Sequence, residues 1–164
     1  MDRFGIDPGL TGAISLITDR NDVGVTIIDT PCFKSPKGRP EYDIQGMLKL
    51  LSNLKRDYPL IRGVLEKVGA FPKNGSVGNF KLGRGSGLWE MALAALEIPH
   101  LLVHPIRWKK TVLDGAPKTP QGEAAVAARL YPTATPLLRG PKGGLKEGRV
   151  DALLLAHYGV VSGA

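Results

Sequence analysis

The stretch that most constrains this chain is Phe4-Gly5-Ile6-Asp7-Pro8-Gly9-Leu10-Thr11-Gly12-Ala13-Ile14-Ser15-Leu16. A short apolar run delivers a carboxylate, Asp7, and the chain then turns back through Pro8, Gly9 and Gly12. Alternation resumes in Ala13-Ile14-Ser15-Leu16-Ile17-Thr18. Apolar runs on either side of a Gly/Pro turn read as strand, turn, strand. Asp7 then stands at a strand end, rigidly held but accessible. By itself this is a hairpin with an incidental turn residue. Two further acids in apolar surroundings, Glu66 and Asp151, give it more weight.

Residues 3–7, 12–19 and 23–29 read as three short strands of an antiparallel meander, with Asn21 and Asp22 marking the second turn. Residues 31–42 read as a loop, broken by Pro31, Pro36, Gly38 and Pro40 and charged by Lys34, Lys37 and Arg39. From Asp43, placed to cap it, a helix presents Ile44, Met47, Leu48, Leu51, Leu54 and Tyr58 on one face, and Pro59 closes it. Ile61-Arg62-Gly63-Val64-Leu65-Glu66 is a fourth strand ending in an acid, and the helical crossover before it implies parallel pairing. Residues 69–87 are a flexible, glycine-rich middle. A helix with Leu88, Met91, Ala92, Ala95 and Leu96 on one face follows, then a fifth strand over 100–103.

Pro105 opens a short helix through Trp108, and residues 115–120 form a basic connector. Residues 123–130 make a compact Ala-rich helix, residues 132–146 a loop, and residues 147–158 the last helix. The element order gives an α/β fold: a mixed five-stranded sheet, an antiparallel meander plus two parallel strands, flanked by helices. One domain is expected over 1–164. Strands one and four are expected as neighbours, with the last helix packed across them.

The charge balance narrows the partner. Lys and Arg number 22 against 15 Asp and Glu, a formal charge of +7 with a pI near 9.7. Such a balance favours a polyanion, most simply nucleic acid. The single cysteine, Cys32, excludes an internal disulfide, reads as a small buried hydrophobe and fits a reducing cytoplasm. No apolar stretch is long enough to span a bilayer, and the Met1-Asp2-Arg3 start is unlike a signal peptide, so no membrane partner is expected.

Converging carboxylates repel one another and are costly to bury as free charges. A divalent cation between them removes that conflict, and all-oxygen ligands suit Mg²⁺ or Mn²⁺. Two such ions, roughly 4 Å apart, clamp the attacking water and the leaving oxygen of a phosphodiester. A basic surface around an acidic pocket is what a nuclease needs.

The residues also carry a resemblance. Gly5-Ile6-Asp7-Pro8-Gly9-Leu10-Thr11-Gly12 resembles the opening motif of RuvC-type Holliday junction resolvases of the ribonuclease H-like superfamily. Val64-Leu65-Glu66-Lys67-Val68 resembles their second acidic strand, and Leu82-Gly83-Arg84-Gly85-Ser86-Gly87-Leu88 the glycine-rich entry to the next helix. Pro105-Ile106-Arg107-Trp108-Lys109-Lys110-Thr111-Val112 resembles the basic segment after the fifth strand. Val150-Asp151-Ala152-Leu153-Leu154-Leu155-Ala156 resembles the final acidic helix. The segments keep the family order and cover nearly the whole chain.

The resemblance implies a ribonuclease H-like sheet and a homodimer, acting in a bacterial or phage-infected cytoplasm. It implies binding of branched DNA, the four-way junction, and nicking of two opposed strands with two Mg²⁺ or Mn²⁺ ions per site. It carries over Asp7, Glu66 and Asp151 as metal ligands. Where the family has an acid or a histidine three residues before the last aspartate, this chain has Gly148. Glu147, one place earlier, either reaches the same metal as a fourth catalytic carboxylate or is a solvated residue favouring the helix dipole.

Phe71 stands where the family carries an aromatic that enters the junction centre, and Phe80 competes for that role. Lys73, Lys81, Arg84, Arg107, Lys109, Lys110 and Lys118 are candidate phosphate contacts. Trp108 reads as a core or lid residue, and His157 as a packed histidine. Three rivals remain: a broader nuclease of the same fold acting on forks, flaps or structured RNA; a junction-binding protein with impaired catalysis, which Gly148 favours; and a sugar-kinase or actin-like ATPase, disfavoured because that fold needs two lobes.

Overall fold

The computed structural model describes residues 2–19 and 24–164. Strands β1 (Arg3–Asp7), β2 (Ala13–Thr18) and β3 (Gly24–Asp29) pair antiparallel in sequence. The turn assigned to Asn21 and Asp22 lies outside the described residues. Residues 31–42 are not the irregular loop expected. They hold a two-stranded antiparallel ribbon, β4 (Cys32–Lys34) and β5 (Pro40–Tyr42), because Pro36 and Gly38 fall in its tip rather than in its strands. Gly38 there has φ +72°, a conformation that glycine adopts without steric penalty. Cys32 on this ribbon is exposed, not buried as expected.

Helix α1 (Ile44–Asp57) is capped as the sequence indicated, the Asp43 carboxylate accepting from Gly46 N at 2.9 Å. Strand β6 (Arg62–Glu66) pairs parallel with β1. The segment expected to be a flexible middle instead enters helix α2 (Gly75–Ala95), 21 residues long. Five glycines in its first thirteen positions argue against a helix on propensity, but tertiary contact overrides it: Gly85 is buried where Tyr42 leans over the helix.

Strand β7 (His100–Val103) pairs parallel with β6 and completes the order β3-β2-β1-β6-β7. Helices α3 (Pro105–Leu113), α4 (Pro120–Leu130) and α5 (Glu147–Ser162) follow, each longer than the sequence pattern suggested. A 3₁₀ helix over Pro132–Leu138 occupies half of the expected 132–146 loop.

Strand alternation sorts the core onto two faces of the sheet. Phe4, Ile6, Ile14 and Leu65 pack against Met47 and Leu51 of α1 and Trp89 and Leu93 of α2. Val64 and Val103 face Trp108, Val126 and Leu154 on the other side. There α5 lies directly on β1: a Cβ at Gly5 would fall 2.2 Å from Ala156 N, so only glycine permits this approach. His157 is packed as expected, with Tyr131 Oη 2.8 Å from its Nδ1.

Candidate active site

Strands β1 and β6 run side by side in the register Gly5↔Val64 and Ile6↔Leu65. Asp7 and Glu66 therefore end neighbouring parallel strands, whose backbones lie about 4.8 Å apart. Gly5 and Val64 face α5, so Asp7 and Glu66, two residues on, face the same side. The Pro8–Gly12 turn fixes the first of them, with Gly9 N donating to Asp7 Oδ1 at 3.2 Å.

Helix α5 begins against this turn. Its first turn is anchored by Arg149, which donates to both Asp29 carboxylate oxygens (2.6 and 2.8 Å) and to Leu137 O and Arg139 O. The contact leaves no room for a side chain at position 148. A Cβ there would sit 2.3 Å from Thr11 O, 2.7 Å from Gly12 Cα and 3.0 Å from Asp7 Oδ2. Gly148 is thus a packing requirement of the way α5 meets the Asp7 turn. One turn later Asp151 reaches the same region.

Two residues complete the cluster: Trp108, expected as a core or lid residue, and Glu123, to which the sequence assigned no role. Trp108, fully buried on α3, donates its indole N–H to Glu66 Oε1 at 2.9 Å. Glu123, buried on α4, accepts from Lys109 Nζ at 2.9 and 3.0 Å, and the same ammonium lies 3.8 Å from Asp151 Oδ2. Lys109, expected on the phosphate-contacting surface, instead points inward because these carboxylates surround it. An acid within the small-residue run Gly122-Glu123-Ala124-Ala125 was the one sequence signal for Glu123.

The electrostatics follow from crowding. Burial pushes the Asp7 carboxyl above the usual range, opposed by the Gly9 N–H and by Lys109. Burial also raises Glu66 to about 7; the Trp108 hydrogen bond and Lys109 oppose this, while the charges of Asp7 and Glu123 add to it. Asp151 is raised as well, by burial first and then by Glu123 and Asp7, against the pull of Lys109. Asp7 and Glu123 thus raise both Glu66 and Asp151, and Lys109 opposes the rise in all three acids.

Among the described residues, no group of three or more His, Cys, Asp or Glu side chains is placed to hold a metal ion as it stands. Lys109 supplies the countercharge in this arrangement. The donor chemistry nevertheless suits a hard divalent cation: all the groups are carboxylates, and they are short of positive charge.

The remaining expected residues lie around this centre. Glu147 is exposed at the first position of α5 and is not brought into the cluster. Phe71 (47% exposed) is held by Asn79, which exchanges two 3.0 Å hydrogen bonds with its backbone. Phe80, on α2, is 72% exposed and so is not packed. Lys73, Arg107, Lys110 and Lys118 are exposed, Lys81 is half-buried, and Arg84 pairs with Glu41 at 3.3 Å.

A mixed five-stranded sheet of this order, flanked by helices, is the ribonuclease H-like fold. Among solved structures, the chain is similar to Thermus thermophilus RuvC in complex with a Holliday junction substrate. The TM-score is 0.66 at 14% identity, covering 99% of this chain and 96% of that one. A second Thermus thermophilus RuvC structure gives 0.61 at 18% identity, covering 99% and 97%. The yeast mitochondrial Holliday junction resolvase Ydc2 gives 0.53 at 14% identity, covering 95% and 76%. The resemblance carried by the sequence motifs therefore holds at the level of the fold. No protein-family model and no curated protein matches the chain. Among the described residues, no helix is long and apolar enough to cross a membrane.

Proposed function

We propose that this chain is a single-domain, metal-dependent endonuclease that resolves four-way DNA junctions by nicking two opposed strands as a homodimer. The observation that carries the reading is the pairing of β1 with β6. It sets Asp7 and Glu66 side by side beneath α5, in a fold shared from end to end with RuvC. A net charge of +7 supports a polyanionic substrate.

In this mechanism Asp7, Glu66 and Asp151 hold Mg²⁺ or Mn²⁺. Bound there, the ions supply Lewis-acid activation of water and neutralise charge at the phosphate. The chain's own residues set the geometry. The Gly9 N–H fixes the Asp7 carboxylate, and the Trp108 indole fixes that of Glu66. Lys109, held by Glu123, balances the cluster when fewer cations are present. Phe71 and Phe80, both exposed, are available to stack on unpaired bases at the junction centre. Exposed Lys73, Arg107, Lys110 and Lys118 supply phosphate contacts.

Two opposed nicks call for two sites related by a two-fold axis. The surface proposed for pairing is the apolar groove between α1 and α2, where Ile44, Leu48, Leu88 and Met91 meet solvent. A second reading, a junction-binding protein that does not cleave, draws on Gly148 and on the inward position of Lys109.

One experiment separates these readings: incubation with an end-labelled four-way junction, a fork, a linear duplex and a structured RNA, with and without Mg²⁺. The proposal expects two symmetric nicks, confined to the junction and dependent on the metal. Binding without nicks in Mg²⁺ or Mn²⁺ selects the second reading, and equal cleavage of fork or RNA removes junction selectivity.

A further inference from the structure

The ribbon of β4 and β5 has no part in the site described above. Its tip carries Lys34, Lys37 and Arg39, all exposed and without an ion pair among the described residues. Its one acid, Glu41, is already paired with Arg84 of α2. The ribbon's outer end is therefore purely cationic.

The ribbon is also built to stay in place. Ser35 N donates to Arg39 O at 2.8 Å, Gly38 N to Ser35 O at 2.8 Å, and Arg39 N to Ser35 Oγ at 3.2 Å, which closes the tip. At the base, the Tyr42 hydroxyl lies 3.1 Å from Lys81 O and 3.3 Å from Pro8 O. The Cys32 thiol donates to Leu10 O at 3.6 Å. Pro8 and Leu10 belong to the turn that presents Asp7, so the ribbon and the acid share one support.

We propose that this ribbon is a phosphate clamp for a duplex arm of the DNA, distinct from the contacts around the junction centre. The inference rests on the nuclease reading above and extends it to a surface that reading does not use. Its reach follows from strand geometry. Arg39 lies three residues from the Tyr42 anchor, next to the start of β5, or roughly 10 Å at about 3.3 Å per residue, and Lys37 sits in the turn that closes the tip.

The test is fluorescence anisotropy of a labelled four-way junction over a salt series. It compares the wild type with a Lys34→Ala/Lys37→Ala/Arg39→Ala variant and with the matching set of glutamine substitutions. Each lost phosphate contact lowers the salt slope by about 0.9, so three lower it by about 2.7. Extrapolated from the high-salt limit, affinity near 0.1 M salt falls by between roughly tenfold and a few hundredfold. Single-turnover cleavage at saturating enzyme stays unchanged.

Neutral methylphosphonates moved stepwise along a duplex arm should include positions that weaken the wild type and leave the variants unaffected. If either folded variant keeps the wild-type affinity and slope, or if every neutral phosphate along the arm affects wild type and variants alike, the clamp is overturned while the nuclease reading stands. A wild type that binds no branched DNA overturns both.

Discussion

Replacing Glu66 by Gln isolates the cost of crowding acids at one site. Glu66 titrates at about 7 in the fold against an ordinary 4.5, chiefly because it is buried. With the folded-state value raised, the native protein holds a proton that the unfolded chain has released between these two pH values. Stability from this group is fully present below pH 4.5 and is lost as pH rises to about 7. The difference, converted at about 1.4 kcal/mol per unit, amounts to roughly 3 kcal/mol.

Gln keeps the shape and still accepts from the Trp108 indole, but it has no charge to bury. In metal-free buffer, Glu66→Gln should match the wild type near pH 4.5 and exceed it at pH 8 by up to about 3 kcal/mol. Urea unfolding followed by circular dichroism across that range measures the difference. A difference that does not change with pH, or a variant less stable than the wild type at pH 8, would refute the reasoning.

Three other outcomes follow from the same structure. Gly148→Asp, which restores an acid at the position where the resemblance expects one, should destabilise by about 1–3 kcal/mol through overpacking and should not raise cleavage, as read by urea melts and a junction nicking assay. Trp108→Phe removes the donor that lowers the Glu66 pKa, so the acidic limb of the pH–rate profile should move to higher pH; a profile that does not move counts against the role of the indole. Met91→Glu, on the apolar groove of α1 and α2, should convert a dimer to a monomer in sedimentation velocity while leaving the thermal midpoint nearly unchanged.

The sheet was legible because its evidence is local. Asp7 and Glu66 each close an apolar run, and alternation alone places such residues at strand ends. The α2 helix was not legible, because five glycines between Gly75 and Gly87 each disfavour it by about 1 kcal/mol relative to alanine. The contacts that override this cost come from Tyr42, more than thirty residues earlier. The ribbon was hidden for a similar reason, since Pro36 and Gly38 mark a turn without naming its flanking strands.

The sequence points to Asp7, Glu66 and Asp151 by their settings, but it does not show that Trp108, Lys109 and Glu123 lie against Glu66 and Asp151. Trp108 meets Glu66 across 42 positions, and Lys109 meets Glu123 across 14. No period in the chain encodes such pairs. Gly148 read as a missing ligand in sequence; in the structure it is the only residue that fits beside Thr11 O.

The most direct measurement of whether Asp7, Glu66 and Asp151 form one working centre is junction nicking by Asp7→Asn at saturating Mg²⁺, with binding of the same junction followed in parallel. The account predicts that nicking is lost and that affinity stays near the wild-type value. Nicking at the wild-type rate by Asp7→Asn would contradict it.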